Sequence, residues 1–263
     1  MIVVYAMGGG LGHLVRARRV LAALEPGATQ AAVITASPLA GAVAFDPSIE
    51  VIVAPRNRGA FGGWLRKTLK ALSPDTVAID AFPLGIFGEL ADHSVLPDAK
   101  LVHVARLLRW EAYRAAFPGT PRRYDAGFVV EALTPDHAAF LGAHSARVAP
   151  LSLGVPEPLE IQAGAPWLIS HAGSEEEIGA LVAFARREAA RLGESPQFVL
   201  RTPRTQPEVA GRFGALVTAC GFNSMCEGEA AGGRHFFLPM ARQFDNQELR
   251  AARRQRALRE AKA

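Results

Sequence analysis

Short apolar runs alternate with amphipathic stretches along the whole chain. The runs at 2–6, 30–35, 49–53, 76–80, 100–104, 127–130 and 146–149 read as strands. They are almost continuous in apolar residues, the mark of strands covered on both faces. Between them the sequence predicts helices at 14–24, 85–92 and 135–141. The stretch 151–166 breaks the pattern. It holds Gly154, Pro156, Pro158, Gly164 and Pro166 without apolar periodicity, and reads as a linker. The alternation then resumes, with strands at 167–170, 198–201, 215–219 and 235–238 and helices at 175–191, 224–231 and 246–260.

This pattern predicts an α/β chain with two Rossmann-like parallel-sheet domains facing a cleft. The first spans 1–150, the linker 151–166, and the second, smaller domain 167–263. Parallel strands joined by helical crossovers bind ligands just beyond their C-terminal ends, so the chemistry is expected in the loops that follow strands.

Composition narrows the class. At 263 residues, 49% hydrophobic and 21% charged, the chain can bury a core without disulfides or a structural metal, and disorder or a coiled coil is excluded. Cys220 and Cys226 make neither a disulfide framework nor a Cys-x-x-Cys pair. The start of the sequence has no basic leader and no run approaches the ~20 apolar residues of a membrane span, so a cytoplasmic location is expected. The net charge of +4 is spread out, except for a basic tail of Arg250, Arg253, Arg254, Arg256, Arg259 and Lys262. A nucleic-acid binder should show a sharper patch with interleaved aromatics, so nucleic acid is not an expected partner. The seven histidines have no metal-ligand spacing and no Asp-x-Asp occurs, so neither a metal nor a bound cofactor is expected.

Gly8-Gly9-Gly10-Leu11-Gly12-His13 follows the first strand and opens a helix. Such a loop lets backbone approach a ligand, and the helix start favours anions, although a tight strand-to-helix turn has the same composition. His13 falls in the first helical turn, where the dipole disfavours the imidazolium and leaves the ring available as a base. Asp80 ends the 76–80 strand, either as the carboxylate that orients His13 or as a cap on the next turn. Residues 61–72 place Phe61, Trp64, Leu65, Leu69 and Leu72 on one side and Arg66, Lys67 and Lys70 on the other. That is a core-facing helix or, with less weight, one meeting a membrane or lipid-linked acceptor. Arg106 and Arg109 follow another strand and are either contacts for an anionic acceptor or surface arginines.

The most specific motif is Ala219-Cys220-Gly221-Phe222-Asn223-Ser224-Met225-Cys226-Glu227, where a strand enters a glycine turn and a helix begins. Helix-start amides and the Ser224 hydroxyl suit a diphosphate, and Glu227, one turn on, suits a ribose diol. Gly221-Phe222-Asn223-Ser224-x-x-Glu227 resembles the Gly-Trp-Asn-Ser-x-x-Glu core of the plant secondary-product glycosyltransferase box, found in two-domain GT-B enzymes. The spacing Gly221…Glu227…Gly232 is similar to the bacterial N-acetylglucosaminyl transferase that makes the peptidoglycan lipid precursor.

The resemblance implies a metal-independent transferase moving a sugar from a nucleoside-diphosphate sugar, with a UDP-sugar the leading choice, to an acceptor hydroxyl. It implies that Gly221, Phe222, Asn223, Ser224 and Glu227 bind the donor, that Asp245 and Gln247 hold its sugar, and that His13 and Asp80 form the base pair. Gly12 and, in the second domain's glycine loop, Gly173 and Ser174 complete the donor set. Three departures stand out: Ala219 replaces a phosphate-touching His, the gap from Pro239 to Gln247 is longer, and no Trp matches the base-stacking one. The alternatives are a nucleotide-sugar hydrolase on the same fold and a non-catalytic subunit.

Overall fold

The computed structural model describes residues 1–8, 10–24, 30–55, 57, 60–154, 159–203, 205 and 212–261. Gly9 of the first glycine loop, Pro156 and Pro158 of the linker and Lys262 of the tail lie outside these residues. The chain divides into two compact units, Met1–Gly154 and Val155–Ala263.

In the first unit β1 (Ile2–Tyr5), β2 (Ala31–Thr35), β3 (Ile49–Val53), β4 (Thr76–Asp80), β5 (Lys100–Ala105), β6 (Ala126–Val129) and β7 (Val148–Pro150) form one sheet. Its order is β3-β2-β1-β4-β5-β6-β7, and every pairing is parallel. The helices are α1 (Leu11–Leu24), α2 (Phe61–Leu72), α3 (Trp110–Ala116) and α4 (Pro135–His144). Strand β1 explains its own composition. Ile2 and Val4 point to the face covered by Leu14, Val20 and Leu21 of α1, while Val3 and Tyr5 point to the face covered by Phe61, Leu65 and Leu69 of α2. Both faces are buried, so the strand carries only aliphatic and aromatic side chains, and its one polar group, the Tyr5 hydroxyl, is hydrogen-bonded to Glu89. The same contacts settle α2: its apolar stripe packs on the sheet, and Arg66 on the outer side pairs with Asp92 at 3.0 Å. Among the described residues no helix is long and apolar enough to cross a membrane.

The helix expected at 85–92 does not form. Residues 82–96 are a loop with only two short 3-10 turns, Glu89–Ala91 and His93–Val95. Gly85 and Gly88 both sit at φ +81°, a left-handed conformation that interrupts an α-helix. The loop's backbone groups bond elsewhere. The Tyr113 hydroxyl accepts from Leu84 N–H and donates to Gly85 C=O, both at 2.9 Å, and the Tyr124 hydroxyl donates to Pro83 C=O at 2.9 Å. The Glu89 carboxylate accepts from Phe87 N–H at 2.8 Å, from Ile86 N–H at 3.2 Å and from the Tyr5 hydroxyl. Burial lifts the Glu89 carboxyl above its ordinary range.

In the second unit β9 (Trp167–Ser170), β10 (Phe198–Arg201), β12 (Ala215–Ala219) and β13 (His235–Leu238) form a parallel sheet of order β10-β9-β12-β13. It is joined by α5 (Glu175–Arg191), α6 (Phe222–Ala230) and α7 (Gln247–Glu260). Trp167, Ile169, Leu181, Ala185 and Val217 are its core. Part of the expected linker is strand instead: β8 (Glu160–Ile161) pairs in parallel with β11 (Arg212–Phe213), and Phe213 and Ile161 pack on Leu168 and Leu216. Among the described residues the architecture is therefore α/β with two main parallel sheets, seven-stranded and four-stranded, and the small two-stranded sheet of β8 and β11.

Candidate functional site

Strand order creates the first site. β1 lies between β2 and β4, so the chain leaves β1 toward β2 on one side while β4 leads on toward β5 on the other. The loops diverge at that switch point, the place where open parallel sheets bind their ligands. His13 enters it from the first turn of α1 and Asp80 from the last residue of β4, a neighbour of β1 with Tyr5 opposite Ile79.

His13 Nδ1 stands 3.1 Å from Asp80 Oδ2. The imidazole lies so close to Gly8 that a Cβ there would overlap its Cδ2 and Nε2, which is why the loop has glycine at this position. The ring also stacks on Phe82 at 5.8 Å. A third residue joins them. Arg16, one turn beyond His13, donates to Asp80 Oδ2 through Nη2 at 2.7 Å and to Oδ1 through Nε. Its Nη2 is also 3.0 Å from His13 Nδ1. Asp80 is fully buried at the side chain, Arg16 3% exposed and His13 13% exposed.

The electrostatics follow. Burial alone would raise the Asp80 carboxyl, but the Arg16 charge and the hydrogen bonds from His13 and Arg16 hold it well below the usual carboxylate range. Burial and the Arg16 charge lower His13 below an ordinary histidine, against the opposing pull of Asp80. The ring is therefore neutral at neutral pH. A proton on Nδ1 facing the ionised carboxylate leaves the Nε2 lone pair available as a base; a lone pair on Nδ1 facing Arg16 makes Nε2–H a donor.

Arg106, buried directly after β5, lies with its guanidinium 5.9 Å from the Phe82 ring centre, one ring away from His13. Arg109 is exposed, at the start of α3. Gly12 is exposed within α1.

The second unit gathers a different set at the C-terminal edge of its sheet. Gly221 precedes α6, which begins at Phe222, two residues earlier than the sequence suggests. Met225 N–H is the first to find the helix's own carbonyl, that of Gly221 at 3.0 Å. The N-terminus of α6 is the end of the helix that favours an anion. Asn223, Ser224 and Glu227 are half-buried. The Glu227 carboxylate is paired with Arg201, the last residue of β10. Arg201 Nε in turn donates to Ser170 Oγ, the end of β9, at 3.0 Å.

Ser174 is the N-cap of α5, and with Glu177 it closes a capping box. Glu177 also accepts from Arg242 Nη2 at 3.0 Å and stands 2.8 Å from His171 Nε2. These bonds, Arg242 first, lower its carboxyl to about 2. Gly173 is tightly enclosed, because a Cβ would meet both Glu177 and His171.

Gln247 and Asp245 make structural contacts. The buried Gln247 amide oxygen accepts from Cys220 N–H at 3.1 Å and Met240 N–H at 3.0 Å, tying together the chain segments that follow β12 and β13. Asp245 accepts from Arg250 Nη2 at 3.0 Å and Gln247 Nε2 at 3.3 Å.

The structure thus brings His13 to Asp80 and places Ser224 and Glu227 together on α6. Arg16 and Arg201 are the residues that sequence reasoning passes over. Each left a trace: Arg16 follows His13 at helical i, i+3 spacing, and Arg201 is a charged residue closing an apolar strand, as Asp80 is. Among the described residues no group of three or more His, Cys, Asp or Glu side chains could hold a metal ion. Comparison with protein-family models and with curated proteins finds no match for this chain.

Proposed function

We propose that the chain is a nucleotide-sugar-dependent glycosyltransferase of the GT-B type, taking its acceptor on the first unit and its donor on the second. One observation carries the reading. Two residues 67 positions apart, a histidine on a glycine-loop helix and an aspartate ending a strand, meet at 3.1 Å at a sheet switch point. That is the arrangement a general base needs.

In the reaction, His13 Nε2 takes the acceptor hydroxyl proton as that oxygen bonds to the anomeric carbon. The bond from the anomeric carbon to the diphosphate oxygen breaks, and its electron pair leaves with the diphosphate. Asp80 receives the Nδ1–H of His13 and fixes the tautomer. Burial, helped by the Arg16 charge, keeps the resting ring neutral, so it is ready to accept a proton. The N-terminus of α6 stabilises the departing charge, and Glu227 accepts from the ribose hydroxyls. A base placed this way contributes about 10²–10⁴ in rate.

The test is a thermal-shift screen of the purified chain against nucleoside diphosphates and nucleotide sugars, beginning with UDP and UDP-sugars. A ligand of the native state at a hundred times its Kd adds about 2.7 kcal/mol of stability, a readily measured rise in Tm. A shift with at least one nucleotide sugar is expected, followed by acceptor-dependent release of its nucleoside diphosphate. No shift with any of them overturns the reading, and release that needs no acceptor reassigns the chain as a hydrolase.

A further inference from the structure

The pairing of Glu227 with Arg201 has a consequence for ligand recognition in the second unit. Glu227 lies on α6, Arg201 at the end of β10 and Ser170 at the end of β9, so Arg201 ties three elements together through one guanidinium. The side chains of Arg201 and Glu227 are 27% and 20% exposed, dry enough to be ordered and open enough for a ligand to reach. An unrestrained glutamate would lose rotamer freedom on fixing a ligand. Here that ordering is already done by the fold, which is how preorganisation raises affinity. The guanidinium engages Glu227 Oε1, and a carboxylate has about four acceptor sites, so the pair leaves capacity for a vicinal diol.

We propose that Arg201, itself held by Ser170, is the positioning residue that fixes Glu227 for recognition of the ribose hydroxyls, so that selectivity for a ribonucleoside depends on the end of β10. This rests on the donor assignment above and adds a residue and a chemical discrimination to it. Arg201 acts through Glu227 and takes no part in bond making.

The experiment separates the ribose from the diphosphate. Calorimetric titration compares the tightest-binding of UDP, ADP, GDP and CDP with its 2′,3′-dideoxy form, which keeps base and diphosphate but lacks both hydroxyls. The wild-type chain is expected to prefer the ribonucleotide about tenfold or more, the range for hydrogen bonds to a charged group. In Arg201→Met the preference falls to within about twofold of unity while affinity for the dideoxy form stays within about threefold; Ser170→Ala gives an intermediate ratio. Arg201→Lys, which keeps the charge but not the planar fork, guards against a misfolded Met variant and is expected to lose most of the preference.

A preserved preference in both Arg201 variants overturns the proposal. So does loss of the dideoxy form together with the ribonucleotide, which would place Arg201 on the phosphates. A wild-type chain that binds none of the four overturns the donor assignment as well, whereas one that binds without preferring the ribonucleotide overturns this proposal alone.

Discussion

The two units each place a carboxylate–arginine pair at the C-terminal edge of a parallel sheet, under opposite conditions. In the first, Asp80 is fully buried, Arg16 is 3% exposed, and His13 completes a closed triad. In the second, Arg201 and Glu227 are 27% and 20% exposed, and Arg201 leans on a serine. A buried charge depends on its partner, because removing one leaves the other stranded without water. A half-exposed charge can be taken up by solvent or by a ligand. The first arrangement suits a group whose protonation must be fixed, the second a group that must meet something arriving from solution.

The largest expected effect breaks that contrast directly. Arg16→Met strands the Asp80 carboxylate and should cost about 3–5 kcal/mol, whereas Arg201→Met should cost about 1 kcal/mol or less. Hydrogen exchange read by mass spectrometry checks both, since it follows each unit separately. Equal losses would mean the two pairs are not different in kind.

Acid sharpens the contrast next. Burial lowers His103 to about 4 and His137 to about 3, and His137 stacks face to face on Trp110 at 4.0 Å with neither ring nitrogen hydrogen-bonded among the described residues. Below about pH 6.5 the unfolded chain protonates these rings and the folded chain does not. Stability contributed by the neutral rings is therefore intact above pH 6.5 and falls as pH drops toward 4 and 3. Asp80, held low in the folded state, adds a further loss once pH falls below about 4, its ordinary unfolded value. Each histidine adds at most about 1.4 kcal/mol per pH unit. Denaturant unfolding between pH 7 and 4 should show a slope that shrinks in His137→Phe. The second unit has one histidine lowered in this way, His235, at about 4, so its exchange protection should decline less over that range.

A comparably small effect is expected elsewhere in the second unit. Ser174→Ala removes the α5 cap and should cost about 1 kcal/mol in thermal unfolding. A larger loss would mean that His171, Glu177 and Arg242 depend on the box for their geometry.

What the sequence made legible follows from locality. Strands β1, β4, β9 and β12 are buried on both faces, so their runs are apolar and plain to read. His13 and Asp80 were legible because one opens the helix after a glycine loop and the other closes an apolar strand, both at the strand ends where chemistry is expected. The loop at 82–96 was not, because Tyr5, Tyr113 and Tyr124 hold it from 28 to 84 positions away. Apolar residues spaced along 85–92 imitate a helix while Gly85 and Gly88 stop one from forming. Arg16 and Arg201 escaped notice because arginines are usually solvated, and only the fold shows which carboxylate each one meets. Gln247 illustrates the converse. A sequence motif offered it to a sugar, while its amide oxygen bonds the backbone beyond two strand ends.

The central claim is that His13 is the base. Its most direct test is the rate of nucleoside-diphosphate release by His13→Ala, measured beside donor affinity with the nucleotide sugar that binds wild type most tightly. The account predicts a fall of about 10²–10⁴ in turnover with donor Kd within about threefold of wild type. Turnover at the wild-type rate would contradict it.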